Sequence, residues 1–506
     1  MVFSSLEFIY LFLPPVLLGF LVLRSLKLES AIIWWLISAS LAFYAWWSPP
    51  HLLLLLGSVG FNYLIHKALL HKTVLHKRVK AVFAFGVLVN LGLLAVFKYA
   101  DFLLENFNLV VGQDIPALGL ILPLAISFYT FQQISFLHDT LVGNLVKCDF
   151  KRYVLFVTFF PQLIAGPIVM QKDTIPQFTI STFTNKTMLN ILLGSTLFFI
   201  GLFKKIVIAD GIAPVANAVF QVTDAGQAVP VDMAWFGALA YTFQIYFDFS
   251  GYCDMALGLA LIFGIRLPVN FNSPYRALNI IDFWRRWHIT LSRFLRDYLY
   301  IPLGGNRGGL LGSKGNLMIT MLLGGLWHGA GWNFMIWGGL HGLYLMINHL
   351  WSSSAFGQNV KGRTNPIAYK MLSWSITISS VIIAWVFFRA ETFSGAILLI
   401  GSMFAFVEVP FQFGLTPIIA DLPLTITLLI TMTIIVIAFP NAVQMTRRYR
   451  PILSTAGDVK KLSGRLLNLA WSPSPRWAVF TGLVACVGLI QIYRLNGLTE
   501  FIYFNF

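Results

Sequence analysis

GGLWHGAGWNFMIWGGLHG, residues 324–342, is the stretch on which the reading of the whole chain turns. It is too apolar for a water-facing loop and too rich in glycine for a comfortable helix in water. It also carries two histidines, His328 and His341. Whether such a segment is reasonable depends on its solvent, and the rest of the sequence answers that. Of the 506 residues, 58% are hydrophobic and only 11% charged, with a mean hydropathy of +0.76. A soluble domain carries about a quarter charged residues. Apolar runs near the length of a bilayer crossing, about 20 residues, recur throughout: FIYLFLPPVLLGFLVL (8–23), AIIWWLISASLAFYAWW (31–47), AVFAFGVLVNLGLLAVF (81–97), LTITLLITMTIIVIAF (424–439) and WAVFTGLVACVGLIQIY (477–493). The chain therefore reads as an all-α polytopic membrane protein, and 324–342 as a segment at membrane depth. The even spread of runs predicts one integral domain over 1–506. Within it, 1–140 and 350–506 are plain helices that flank a polar core at 150–345.

The formal net charge of +15 would suggest nucleic acid in a soluble protein. Here the basic residues gather in short loops, as the positive-inside rule describes. RSLK (24–27), HKALLHKTVLHKRVK (66–80), KCDFKR (147–152) and the basic stretch at 447–465 are expected to be cytoplasmic. DFLLENFNLVVGQD (101–114), with acids only, is expected outside, as are both termini. No basic n-region precedes the first run, so a cleaved signal is not expected. His51, His66, His71, His76 and His349 fall at helix ends or in the basic loop and are expected to be solvated, and His138 is expected at a helix end. Cys148, Cys253 and Cys486 are scattered and imply no disulfide framework.

Polar chemistry concentrates in the core. FVTFFPQLIAGPIVM (156–170) has two prolines in an apolar run, which predicts a broken helix. Such backbone is tolerated at membrane depth only where protein or water covers it. Asp248 and Asp254 lie in the long apolar run at 233–265. They are six residues apart, roughly 240° around a helix, and read better as structural groups that lock helices together, through a buried ion pair or a serine or backbone hydrogen bond, than as an acid–base couple.

DFWRRWHITLSRFLRDYLY (282–300) predicts one amphipathic interfacial helix. Phe283, Trp287, Leu291, Phe294 and Tyr298 share its apolar face, Arg285, Arg286, Arg293 and Arg296 share the other, and His288 lies on the flank. Lipid headgroups would satisfy such arginines as well as a ligand would. The LGGNRGG stretch (303–309) reads as an ordinary turn. His328 could simply hydrogen-bond a neighbouring helix. Against that, ionisable groups at membrane depth are costly and mark functional paths, and histidine is the usual proton-transfer group near neutral pH. Glycines 324, 325, 329 and 331 would leave space around it for a substrate chain. His341 is expected to pack between helices. Nucleophile-elbow, zinc-protease and phosphate-loop motifs do not occur, and no repeat of fixed period supports a repeat-built exporter.

The combination of RRWHITLSRFLRDYLYIPLGG with GGLWHGAGWNFMIWGGLHG about 40 residues later, and FVTFFPQLIAGPI upstream, resembles the membrane-bound O-acyltransferase superfamily. YFDFSGYCDMALGLALIFGI, NFNSPYRA and the terminal EFIYFNF are similar to its bacterial branch, typified by alginate O-acetyltransferases. The resemblance implies a ring of roughly 11–13 transmembrane helices with re-entrant segments around a central tunnel. Its histidine pair corresponds to His288 and His328. It implies an O-acetyltransferase of the bacterial inner membrane that takes an acetyl group from a cytoplasmic donor, with acetyl-CoA as the expected one and no tightly bound cofactor or metal. Periplasmic acetyltransferase partners would then acetylate an exopolysaccharide, alginate first, with cellulose or peptidoglycan as alternatives. In this reading Arg285, Arg286, Arg293 and Arg296 would meet CoA phosphates, and Trp327, Trp332 and Asn333 would line the substrate path. The rival reading is a polysaccharide exporter or flippase, which would release no free CoA.

Overall fold

A computed structural model describes residues 1–70, 76–144, 148–307, 309–363, 365–407, 421–453, 469–494 and 501–502. His71, the side chain of His76 and the basic stretch from 454 to 465 lie outside them. Among the described residues the regular structure is all helical, and the only β pairing is one isolated bridge between Pro268 and Leu453. Eight helices among the described residues are long and apolar enough to cross a membrane. This is an all-α polytopic membrane protein.

The N-terminal helices are α1 (Leu13–Ser25), α2 (Glu29–Ala45), α3 (Pro49–Leu70), α4 (His76–Val111) and α5 (Ile126–Leu141). Residues 101–111 form the last three turns of α4. One expectation is corrected here. His66 is not solvated. It is 1% exposed, with Nδ1 3.0 Å from the Thr140 hydroxyl of α5.

FVTFFPQLIAGPIVM breaks as its prolines require. Helix α6 (Phe150–Thr158) stops at Phe159 and α7 (Phe160–Leu163) restarts across Pro161. Then come α8 (Thr187–Phe203), a π-helical turn at Lys204–Ala209, α9 (Asp210–Asp224) and α10 (Val231–Ile262). Helix α10 is the axis of the molecule, with its most apolar window wholly buried by protein.

Glycines let α8 and α10 touch backbone to backbone. A Cβ on Gly194 would lie 2.6 Å from the Gly258 carbonyl oxygen, and one on Gly201 2.5 Å from that of Gly251. Small residues of this kind replace hydrophobic driving force where the solvent is lipid. Both acids form ion pairs. Lys204 reaches Asp254 at 2.5 Å, and Lys205 bridges Asp248 at 2.7 Å and Asp210 at 2.8 Å. Asp248 and Asp254 lie about 240° apart around α10, so each lysine meets its own acid of that helix.

Beyond α10 come α11 (Ile280–Trp284), α12 (Ile289–Leu295), α13 (Gly309–His328), α14 (Trp332–Ser353), α15 (Pro366–Arg389), α16 (Phe393–Met403), α17 (Leu422–Ala438) and α18 (Pro475–Arg494).

Candidate active site

The single amphipathic helix expected over 282–300 is in fact three pieces. Helix α11, capped by Asn279 through the Asp282 N–H, ends at Trp284. Helix α12 starts at Ile289, and a π-helical turn follows at Arg296–Tyr300. The break falls at His288, which has left-handed backbone angles of φ 42° and ψ 53°. Helical periodicity could not show this, because Phe283, Trp287, Leu291 and Phe294 are buried in either arrangement. The consequence for His288 is large. It is not at a flank but 0% exposed, under Phe249 with ring centroids 4.8 Å apart.

The strand-like segment after α10 orients it. Asn270 Oδ1 lies 3.1 Å from His288 Nδ1 and accepts from Thr290 N at 3.2 Å and Thr290 Oγ1 at 2.9 Å. A carboxamide oxygen only accepts, so Nδ1 carries the hydrogen and Nε2 keeps a basic lone pair in the neutral ring. The Thr290 hydroxyl also accepts from Ile168 N at 3.0 Å, which ties the proline-broken segment to the same spot. Asn270 had no place in the reading of the sequence. An asparagine in a turn-rich stretch is common, and only the fold gives it a histidine to hold.

His328 is the last residue of α13, 2% exposed, at the start of the three-residue link to α14. Its ring packs against Trp327 (4.8 Å), Trp337 (5.0 Å) and Phe388 (5.2 Å). The His288 and His328 ring centroids are 6.5 Å apart. That spacing is too wide for a direct ring-to-ring hydrogen bond. Two of the four glycines, Gly325 and Gly329, do not leave the space expected of them. A Cβ on Gly325 would lie 2.2 Å from the Phe334 carbonyl oxygen, and one on Gly329 2.1 Å from the Phe334 ring. They serve the close packing of α13 against α14. His341 packs as expected, 5.9 Å from Phe283 in parallel, with Nδ1 accepting from Trp284 Nε1 at 3.3 Å.

The remaining expected site residues divide. Trp327 is buried beside both histidines, 6.2 Å from His288. Trp332 is 56% exposed and lines a cavity of about 840 Å³ together with Asn333, Gln244, Arg389 and Phe388. Phe388 both lines that cavity and packs against His328. Asn333 Nδ2 donates to the Ala390 carbonyl at 2.8 Å. Three of the four arginines already face carboxylates: Arg286 with Asp282 (2.9 Å), Arg293 with Asp173 (3.4 Å) and Arg296 with Asp297 (2.7 Å). Arg285 is exposed. Among the described residues no group of three His, Cys, Asp or Glu is placed to hold a metal ion.

The sequence that builds this site is similar to those of known proteins. The chain is 45% identical over 430 residues to the peptidoglycan O-acetyltransferase of Helicobacter pylori, covering 80% of each chain. It is 43% identical to the probable alginate O-acetylase of Pseudomonas aeruginosa, over 80% of this chain and 75% of that one. A more distant relative, the teichoic acid D-alanyltransferase of Streptococcus thermophilus, is 28% identical over 45% of this chain and 57% of that one. Residues 31–395 match the membrane-bound O-acyltransferase family, and the chain belongs to it: it is a multi-pass membrane O-acyltransferase.

Proposed function

We propose that this enzyme takes an acetyl group from cytoplasmic acetyl-CoA and passes it across the bacterial inner membrane for O-acetylation of an extracytoplasmic glycan. The observation that carries the reading is the fully buried pair of histidines 6.5 Å apart. Transfer from a thioester to a hydroxyl breaks a C–S bond and forms a C–O bond. The hydroxyl proton must leave as attack begins, and the thiolate must gain one as it departs. His328 takes the hydroxyl proton or transiently carries the acyl group. His288, its tautomer set by Asn270, orients and polarises the reacting groups from the other side. Burial of both rings keeps water from hydrolysing the thioester.

Arg285, exposed at the break between α11 and α12, is the arginine best disposed to meet CoA phosphates, with Arg286, Arg293 and Arg296 beside it. Trp327 walls the reacting centre, while Trp332 and Asn333 line the cavity that Phe388 also lines, where an acceptor would arrive. The relatives' names include both peptidoglycan and alginate acetylation. Alginate remains the first candidate polymer and peptidoglycan the second, each served through periplasmic acetyltransferase partners.

The test compares wild type with His328→Ala at equal protein level in membranes supplied with labelled acetyl-CoA. CoA release and label in alginate and in peptidoglycan are measured together. The expected result is loss of CoA release and of label in the same polymer. Unchanged CoA release in His328→Ala would remove the site reading, and glycan export without any CoA release would favour the exporter.

A further inference from the structure

Helix α13 ends at His328, so its last carbonyls have no partner within the helix. Two consecutive residues of α4 supply one. Lys98 Nζ donates to the Trp327 carbonyl and, at 3.4 Å, to that of His328, while Tyr99 Oη donates to the Leu326 carbonyl at 2.9 Å. The ammonium also stands 5.8 Å from the centre of the Trp327 ring. One turn and two turns further along α4, the same face meets the other side of the link. Phe102 packs edge-on to Trp332 at 5.8 Å, and Asn106 Oδ1 accepts from Trp332 Nε1 at 3.0 Å. Residues 98, 102 and 106 follow the four-residue spacing of one helix face.

We propose that Lys98 is a positioning residue for His328. Its amine sits against the last carbonyls of α13 and, by donating to two of them, fixes both the backbone from which the imidazole projects and the indole beside it. The role rests on the reading of His328 as the reacting histidine. Few other side chains could fill it: the site needs several donors at the end of a long stem. Lys98 also lines a separate cavity of about 670 Å³ with Asp101, Glu105 and Asp114. A substrate-binding role there is the competing explanation.

The experiment measures kcat and the KM for acetyl-CoA, by CoA release per folded molecule, in wild type, Lys98→Met, Lys98→Arg and His328→Ala. Folded protein is counted from the monodisperse peak in detergent. The expected result is a kcat lowered by about 10- to 100-fold in Lys98→Met, the scale of a small misplacement of a reacting group. The KM should stay within about twofold, and Lys98→Arg should recover most of the loss because a guanidinium also offers several donors. A raised KM with unchanged kcat would overturn the proposal in favour of the binding role. Wild-type kcat in Lys98→Met beside an inactive His328→Ala would overturn it while leaving the site intact. An active His328→Ala would overturn both.

Discussion

Nδ1 of His288 lies 3.1 Å from Oδ1 of Asn270, and this one oxygen also serves both the N–H and the hydroxyl of Thr290. A single carboxamide therefore sets a histidine's tautomer and starts the helix that follows it. Asn270→Ala would leave three donors without their acceptor in a buried site. A lost partner of this kind costs about 1–3 kcal/mol. A lower thermal midpoint in detergent and a kcat lowered about 100-fold are expected, with donor KM unchanged. Retention of wild-type kcat would show that the asparagine does not orient the ring.

The left-handed backbone of His288 separates its two contributions. A Cβ in that conformation costs about 1–2 kcal/mol, and glycine escapes the cost. His288→Gly should melt above His288→Ala, yet both should lose acyl transfer by roughly 100- to 10,000-fold. Thermal unfolding and CoA release on the same preparations check this. Equal activity in the two variants and wild type would remove His288 from the reaction.

Gly325 and Gly338 face each other across the α13–α14 contact, and a Cβ on either would lie 3.2 Å from the other's Cα. Gly325→Ala would also drive that Cβ into the Phe334 carbonyl, an overpacking expected to cost about 1–3 kcal/mol. Gly315 on the same helix has nothing within 4 Å of its absent side chain. Gly315→Ala should leave the melting point unchanged or raise it, by up to about 1 kcal/mol of helix propensity. A melting series in detergent separates the two sites.

The Lys204–Asp254 pair is mostly buried, with side chains 12% and 8% exposed. Removing the lysine alone strands a carboxylate, at a cost of about 3–5 kcal/mol. Lys204→Met should therefore melt well below wild type, and the double change Lys204→Met with Asp254→Leu should recover most of the difference. A double variant no better than the single would mean that the pair does not account for the loss.

Membrane class, the break at Pro161 and the structural role of the two buried acids were legible, because hydropathy, proline and buried charge act locally, whereas His288 and His328 were paired only by the family resemblance. Three features were not legible. The break at His288 hides in 282–300 because its apolar residues are buried whether the segment runs as one helix or three. Gly325 and Gly329 looked like empty space because a sequence does not say what fills a gap, and here Phe334 of α14 fills it. His66 looked solvated because the lysines nearby mask a partner, Thr140, that lies 74 positions away. Asn270 and Lys98 belong with these: each acts through a residue that only tertiary folding brings near, 18 and 230 positions along the chain.

Ile502 donates its backbone N–H to Asp248 Oδ2 at 3.2 Å, across 254 positions, and the neighbouring Phe501 ring stands 4.9 Å from Lys205 Nζ. On a ribosome adding about 5–20 residues per second, α10 emerges something like 13 to 50 seconds before the segment that completes its surroundings. Through that interval the nascent chain holds its central carboxylate with one contact missing. The surroundings of the central carboxylate are thus closed by a segment 254 positions further along the chain, and a change at Ile502 or Phe501 reaches the Lys205–Asp248 pair without touching either of its members.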